Sequence, residues 1–150
     1  GNRDFRDLLQ CLNEAGARYL IVGAYAVIYH TEPRYTKDLD IWVEATPENA
    51  AKVWRALADF GAPLGEVSVE DLSNPDMIYQ IGVEPNRIDI IMDMKGLLFD
   101  EAWKNRVPHA YEEQAISILS LENIIQAKRA AGRPQDLVDL EALELKRKRK

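Results

Sequence analysis

Residues 19–44 read YLIV GAYAVIYH TEPRYTK DLDIWVE, and their pattern decides the fold. Arg18 to Val22 is a short apolar run that stops at Gly23, the pattern of a buried strand. Ala24 to His30 stays largely apolar and predicts a helix directly after the glycine, broken by Thr31, Glu32 and Pro33. From Asp38 to Glu44 the pattern alternates. Leu39, Ile41 and Val43 fall on one side, and Asp38, Asp40 and Trp42 on the other, which predicts a second strand.

Upstream, Phe5, Leu8, Leu9, Leu12 and Ala15 recur at helical spacing before Gly16. Downstream, Thr46 followed by Pro47 is a helix start: an N-cap residue, then proline in the first helical position. That helix ends at Gly61. Glu66 to Pro75 reads as a loop with at most a turn of helix. Met77–Val83 and Arg87–Met92 are strand-like, and Glu84-Pro85-Asn86 between them predicts a hairpin. Leu97–Asn105 reads as helix and Ala115–Leu119 as strand. Ser120 caps a helix to Ala131, and Asp136–Leu145 forms another after Gly132-Arg133-Pro134. Strands and helices are mixed and a hairpin is present, so the expected class is α/β (α+β), a mixed β-sheet flanked by helices.

The 150 residues, 17.1 kDa, suit one domain spanning 1–150. A composition 47% hydrophobic and 29% charged is that of a globular chain and excludes disorder and low complexity. The single cysteine, Cys11, forms no intrachain disulfide and no thiolate cage, and reads as a small buried apolar residue of the first helix. His30 and His109 stand far apart without a nearby cysteine, so zinc is not expected. The longest uncharged apolar stretch, Tyr19 to Tyr29, is far shorter than the ~18 residues of a membrane span. The opening Asn2-Arg3-Asp4-Phe5 is no signal peptide, and a cytoplasmic protein without a membrane anchor is the expectation.

Charge is uneven. The net value is −6, but Lys146–Lys150 are all basic, and without that tail 14 bases face 25 acids. So acidic a body excludes a general nucleic-acid binder, whose phosphate contacts need a basic surface. The tail reads as a solvated extension of the last helix, where cations suit the negative helix end.

Asp38-Leu39-Asp40 is the feature with chemistry in it. Two residues apart on a strand, the carboxylates share a side, with Cβ atoms ~6.7 Å apart. They can converge on one cation, or on two ~3.5–4 Å apart. Asp89, inside the apolar run Arg87-Ile88-Asp89-Ile90-Ile91, is costly without a partner and is the third candidate. All-oxygen ligation favours Mg²⁺ or Mn²⁺. Taken alone, the motif equally fits two aspartates on the wet side of an edge strand, with Asp89 paired to a base such as Arg87. Two neighbours favour a site. Gly23-Ala24 at a strand-to-helix junction lets backbone N–H groups approach a phosphate. Arg34-Tyr35-Thr36-Lys37 sets two cations and a hydroxyl before the acidic pair.

Leu20-Ile21-Val22-Gly23-Ala24, then Arg34 and Thr36, then Asp38-Leu39-Asp40-Ile41-Trp42-Val43, with Asp89 later, resembles the nucleotidyltransferase superfamily. The ending, Leu121 to Arg129 with Gly132-Arg133-Pro134-Gln135-Asp136-Leu137, is similar to small prokaryotic members, including the AbiEii-like toxin branch. The resemblance implies an enzyme with two Mg²⁺ ions that binds an NTP such as ATP. It would transfer the nucleoside monophosphate to a protein or RNA hydroxyl and release pyrophosphate. It places Asp38 and Asp40 on both metals and Asp89 on the catalytic metal, where it would help deprotonate the attacking hydroxyl. It also places Gly23 and Ala24 on the phosphates through their N–H groups, and Arg34, Thr36 or Lys128 near the triphosphate. Ala24 departs from the family's Gly or Ser, which bears on turnover more than on fold. That departure and the short chain also suit a binding module or regulatory partner, possible within a toxin–antitoxin pair. Asp136 reads as a cap of the last helix. Asp93 reads as a strand-end residue, and Trp42, Trp54 and Trp103 read as packing residues. Tyr25 and Tyr35 flank the proposed cleft.

Overall fold

A computed structural model describes residues 3–32, 36–82 and 86–149. Helix α1 (Arg3–Ala15) leads through a glycine turn into strand β1 (Tyr19–Val22), and helix α2 (Gly23–His30) follows without a loop. Next come strand β2 (Leu39–Val43), helix α3 (Pro47–Phe60), a 3-10 turn (Glu70–Ser73) and the pair β3 (Ile78–Ile81) and β4 (Ile88–Ile91). Helix α4 (Phe99–Lys104), the hairpin β5 (Val107–Tyr111) and β6 (Gln114–Ile118), and helices α5 (Leu121–Ala131) and α6 (Pro134–Arg149) complete the order.

The six strands form one sheet in the order β3-β4-β2-β1-β6-β5. β1 pairs antiparallel with β2 and parallel with β6, while β2 pairs parallel with β4. The class expected from the sequence is therefore found: a mixed sheet with helices packed about it. α1 packs on α3, and α2 packs on α5 and α6. The fully buried Leu8, Leu9, Leu12, Leu20, Ile21, Ile41, Leu57, Ile90 and Ile118 join helices and strands in one core.

Helix boundaries follow local chemistry. Thr46 Oγ1 accepts the N–H of Asn49 and Ser120 Oγ that of Asn123, so both predicted N-caps are made. Gly61 and Gly132 close their helices in the left-handed region. The 3-10 turn falls inside the predicted loop, and α6 runs further in both directions than Asp136–Leu145. Its basic end is not merely solvated: Arg147 pairs with Glu122 and Glu144. The three tryptophans pack. Trp42 is buried against Phe99, Trp54 donates to the carbonyl of Val67, and Trp103 stacks on Phe99 beneath Arg106. No helix among the described residues is long and apolar enough to cross a membrane.

Candidate active site

The parallel register of β2 and β4 sets Asp40 opposite Asp89, and the antiparallel register of β1 and β2 sets Val22 opposite Asp40. Adjacent strands lie ~4.8 Å apart. Two carboxylates that are distant in sequence thus become neighbours on one side of the sheet, where the chain leaves β1 for α2. β2 is an interior strand, between β1 and β4, so the wet edge-strand alternative does not hold.

Asp40 is half-buried and carries the electrostatic burden. Burial, the charges of Asp89 and Asp38, and a hydrogen bond with Asp89 push its carboxyl up to about 6; Arg87 opposes the rise. Asp38 stands just before β2. Its Oδ1 is buried and has no hydrogen-bond partner among the described residues. Its backbone carbonyl accepts a hydrogen bond from Thr36 Oγ1 at 3.3 Å. The Asp89 side chain is 13% exposed and is gripped by Arg87, with Nε 3.0 Å from Oδ1 and Nη2 3.3 Å from Oδ2. The base suggested for Asp89 from sequence is the one it has.

These donors fit a divalent cation by their chemistry. All are carboxylate oxygens, one is buried without a partner, and a second is held against its natural tendency to ionise. They are not yet converged. Among the described residues no three His, Cys, Asp or Glu side chains stand assembled around a common point. Both Asp89 oxygens are engaged by Arg87, so a cation bound there would compete with that guanidinium.

Gly23 does more than turn the chain. Its φ is +65°, and a Cβ placed on it would lie 2.0 Å from Asp40 Oδ2. The absence of a side chain makes room for the Asp40 carboxylate. α2 begins at this glycine with no side-chain cap, so its first N–H groups are unclaimed by a capping residue. Ala24 is exposed in that first turn, its methyl clear of the core.

The remaining candidates divide. Arg34 and Tyr35 lie outside the described residues, as do Glu84 and Pro85 of the predicted hairpin turn. Lys128 lines a small cavity with Gly23, Met94 and Asp136, of about 150 Å³. Its amine is taken by Asp136 Oδ1 at 3.2 Å and Asp139 Oδ2 at 3.0 Å. Asp136 is fully buried and accepts the Arg133 N–H and its guanidinium, which together with Lys128 bring its carboxyl down to about 2. It is the third residue of α6 and not its N-cap, and it reaches back to the N–H of Arg133, the residue before the helix, as the acid of a capping box does. Asp93 is exposed beyond β4 and takes no part. Tyr25 is set edge-on to Tyr111. Sequence reasoning treated Arg87 only as a competing partner of Asp89 and did not connect Asp139 with Lys128. The Arg-x-Asp spacing on a strand, which puts both side chains on one side, was the available signal for Arg87.

No family model matches the sequence, and no curated protein is significantly similar to it. Among solved structures the chain is similar to a protein from Thermotoga maritima assigned as a nucleotidyltransferase. The two are 19% identical over 93% of this chain and 89% of that one, with a TM-score of 0.62. It is also similar to the lincosamide antibiotic adenylyltransferase LnuA bound to lincomycin, 17% identical over 96% of each chain, with a TM-score of 0.58. At such identities the likeness is one of fold, and the chain has the nucleotidyltransferase fold.

Proposed function

We propose that this protein is a metal-dependent nucleotidyltransferase that moves a nucleoside monophosphate from an NTP to an acceptor hydroxyl. The observation that carries the reading is the register of Asp40 with Asp89, beside Asp38 and against Gly23, at the start of α2. In the transfer, the acceptor oxygen bonds to the α-phosphorus, the bond from that phosphorus to the leaving oxygen breaks, and pyrophosphate departs. The hydroxyl proton passes to the Asp89 carboxylate. Asp38, Asp40 and Asp89 would hold Mg²⁺ or Mn²⁺, which supplies charge neutralisation for the attacking and leaving oxygens. The N–H groups of Gly23 and Ala24 receive phosphate oxygens at the positive end of α2. Thr36 fixes the approach to Asp38 by its bond to that residue's carbonyl. Arg34 and Lys128 remain proposed triphosphate contacts, and Lys128 serves in that role only by leaving one of its two carboxylates.

The acceptor is a protein or RNA hydroxyl, or a small molecule. LnuA, which acts on a lincosamide antibiotic, supports including the last. Calorimetric titration of each NTP, with and without Mg²⁺, into the parent and into Asp40→Asn tests the reading. Magnesium-dependent binding that the mutant loses is expected. Equal binding by parent and mutant would place the nucleotide elsewhere.

A second reading is a catalytically weak binding module or regulatory partner, as in a toxin–antitoxin pair of the AbiEii-like kind. It draws on Ala24 and on the exposed Leu137, Val138 and Leu145 of α6, which are 56%, 70% and 52% accessible. A partner protein that co-purifies, with no nucleotide transfer in its presence, would favour it. Transfer by the isolated chain would eliminate it.

A further inference from the structure

Of the cations that sequence reasoning assigned to a triphosphate, Lys128 is occupied by two carboxylates of α6. The cation that stands among the site's own carboxylates is Arg87. It precedes Asp89 by two residues, so the two side chains leave the sheet on the same side. It touches both Asp89 oxygens, and its charge is the one that moderates Asp40.

We propose that Arg87 serves the nucleotide site in two states: it holds Asp89 in place of a divalent cation, and it turns to the phosphate oxygens of the nucleotide once a cation takes Asp89. This rests on the transferase reading above. Three observations carry it. First, the grip on Asp89 is two-toothed, one nitrogen per oxygen, so a cation that takes Asp89 meets the guanidinium charge at hydrogen-bond distance from the same oxygens and repels it. Second, a guanidinium fork matches phosphate as well as it matches carboxylate, so the displaced group has an equivalent partner in the triphosphate. Third, the anchor is fixed while the side chain is accessible. The Arg87 carbonyl accepts the N–H of Leu39, between Asp38 and Asp40, at 3.0 Å, yet the Arg87 side chain is 33% exposed. The base of the side chain is therefore tied to the strand that carries the other two carboxylates.

Arg87 so placed makes cation and nucleotide binding mutually reinforcing. The cation frees the guanidinium for phosphate, and phosphate keeps it from returning to Asp89. By linkage each ligand then tightens the other equally.

The test measures Mn²⁺ binding without nucleotide, by paramagnetic resonance of free Mn²⁺, and binding of a non-hydrolysable ATP analogue at saturating Mn²⁺, by calorimetry. Both are run on the parent, Arg87→Met and Arg87→Lys. Removing one positive charge about 6 Å from a divalent ion in a solvated site tightens that ion about tenfold. Losing a charged hydrogen bond to phosphate weakens the analogue on the order of tenfold or more. The expected result is this crossing in Arg87→Met, with Arg87→Lys between it and the parent. A merely structural arginine weakens both. If Mn²⁺ binding is not tightened, or the analogue is not weakened, the proposal is overturned. Should Arg87→Met fail to give a cooperative melt, the same comparison is made with Arg87→Gln, which also removes the charge and keeps a polar side chain. An overturned result with intact Mn²⁺-dependent nucleotide binding in the parent leaves the transferase reading in place. No such binding in the parent removes both.

Discussion

At the scale of single residues, Gly23 and Asp40 form one unit. A methyl on Gly23 would meet Asp40 Oδ2, and the positive φ disfavours any other residue. Gly23→Ala is expected to cost ~3 kcal/mol, combining left-handed strain with overpacking, as measured by urea unfolding. It should also weaken Mg²⁺-dependent nucleotide binding, because Asp40 has nowhere else to go. The pH dependence of the metal-free protein follows from Asp40. Its carboxyl is raised from 3.8 to about 6 in the folded state, so the native protein binds the extra proton between those values. Stability is then greatest at the low end of that window and falls as pH rises from about 4 to 6, by no more than ~3 kcal/mol. Asp40→Asn is expected to flatten this segment of the curve of unfolding free energy against pH, and Mg²⁺ should raise the melting temperature more at pH 7 than at pH 5. A curve that stays steep in the mutant would mean that Asp40 is not the proton's site.

At the scale of elements, the elbow between α5 and α6 is held by Asp136, buried under Lys128 and Arg133. Its depressed carboxyl contributes stability that is present above the ordinary carboxylate range and is lost as pH falls through about 4 toward 2. Asp136→Asn is expected to lower stability by about 2–3 kcal/mol at pH 7 and by little at pH 2. Which elements the sequence revealed follows from how local their causes are. Thr46-Pro47 and Ser120 announce their helices because a cap is made within three residues. β5 went unseen because Val107-Pro108-His109-Ala110-Tyr111 is an edge strand with a proline and an exposed middle, so burial imposes no alternation on it. The carboxylates Asp38, Asp40 and Asp89 were legible as types on strands. The reason for Gly23 was not, because the carboxylate that needs its space arrives seventeen residues later. Nor was the occupation of Lys128 by Asp139, since the geometry of the α5–α6 elbow decides it.

At the scale of the whole molecule, an acidic body carries a basic helix end that folds back on its own acids. Arg147 meets Glu122 and Glu144, and Arg129 also reaches Glu144. Such exposed pairs are individually weak, so removal of residues 146–150 should change stability by less than ~1 kcal/mol. The triphosphate site assigned to Asp38, Asp40 and Asp89 should bind NTP unchanged after this truncation. A large loss of nucleotide binding would instead give the tail a direct part in it. The parallel pairing of β2 with β4 has a consequence in time as well as in space. Asp40 and Asp89 meet only when two distant segments have docked side by side, a pairing no local turn can supply. Nucleotide capture during refolding would therefore mark the moment at which the β2–β4 pairing is complete, and a folding intermediate lacking that pairing would be blind to the ligand.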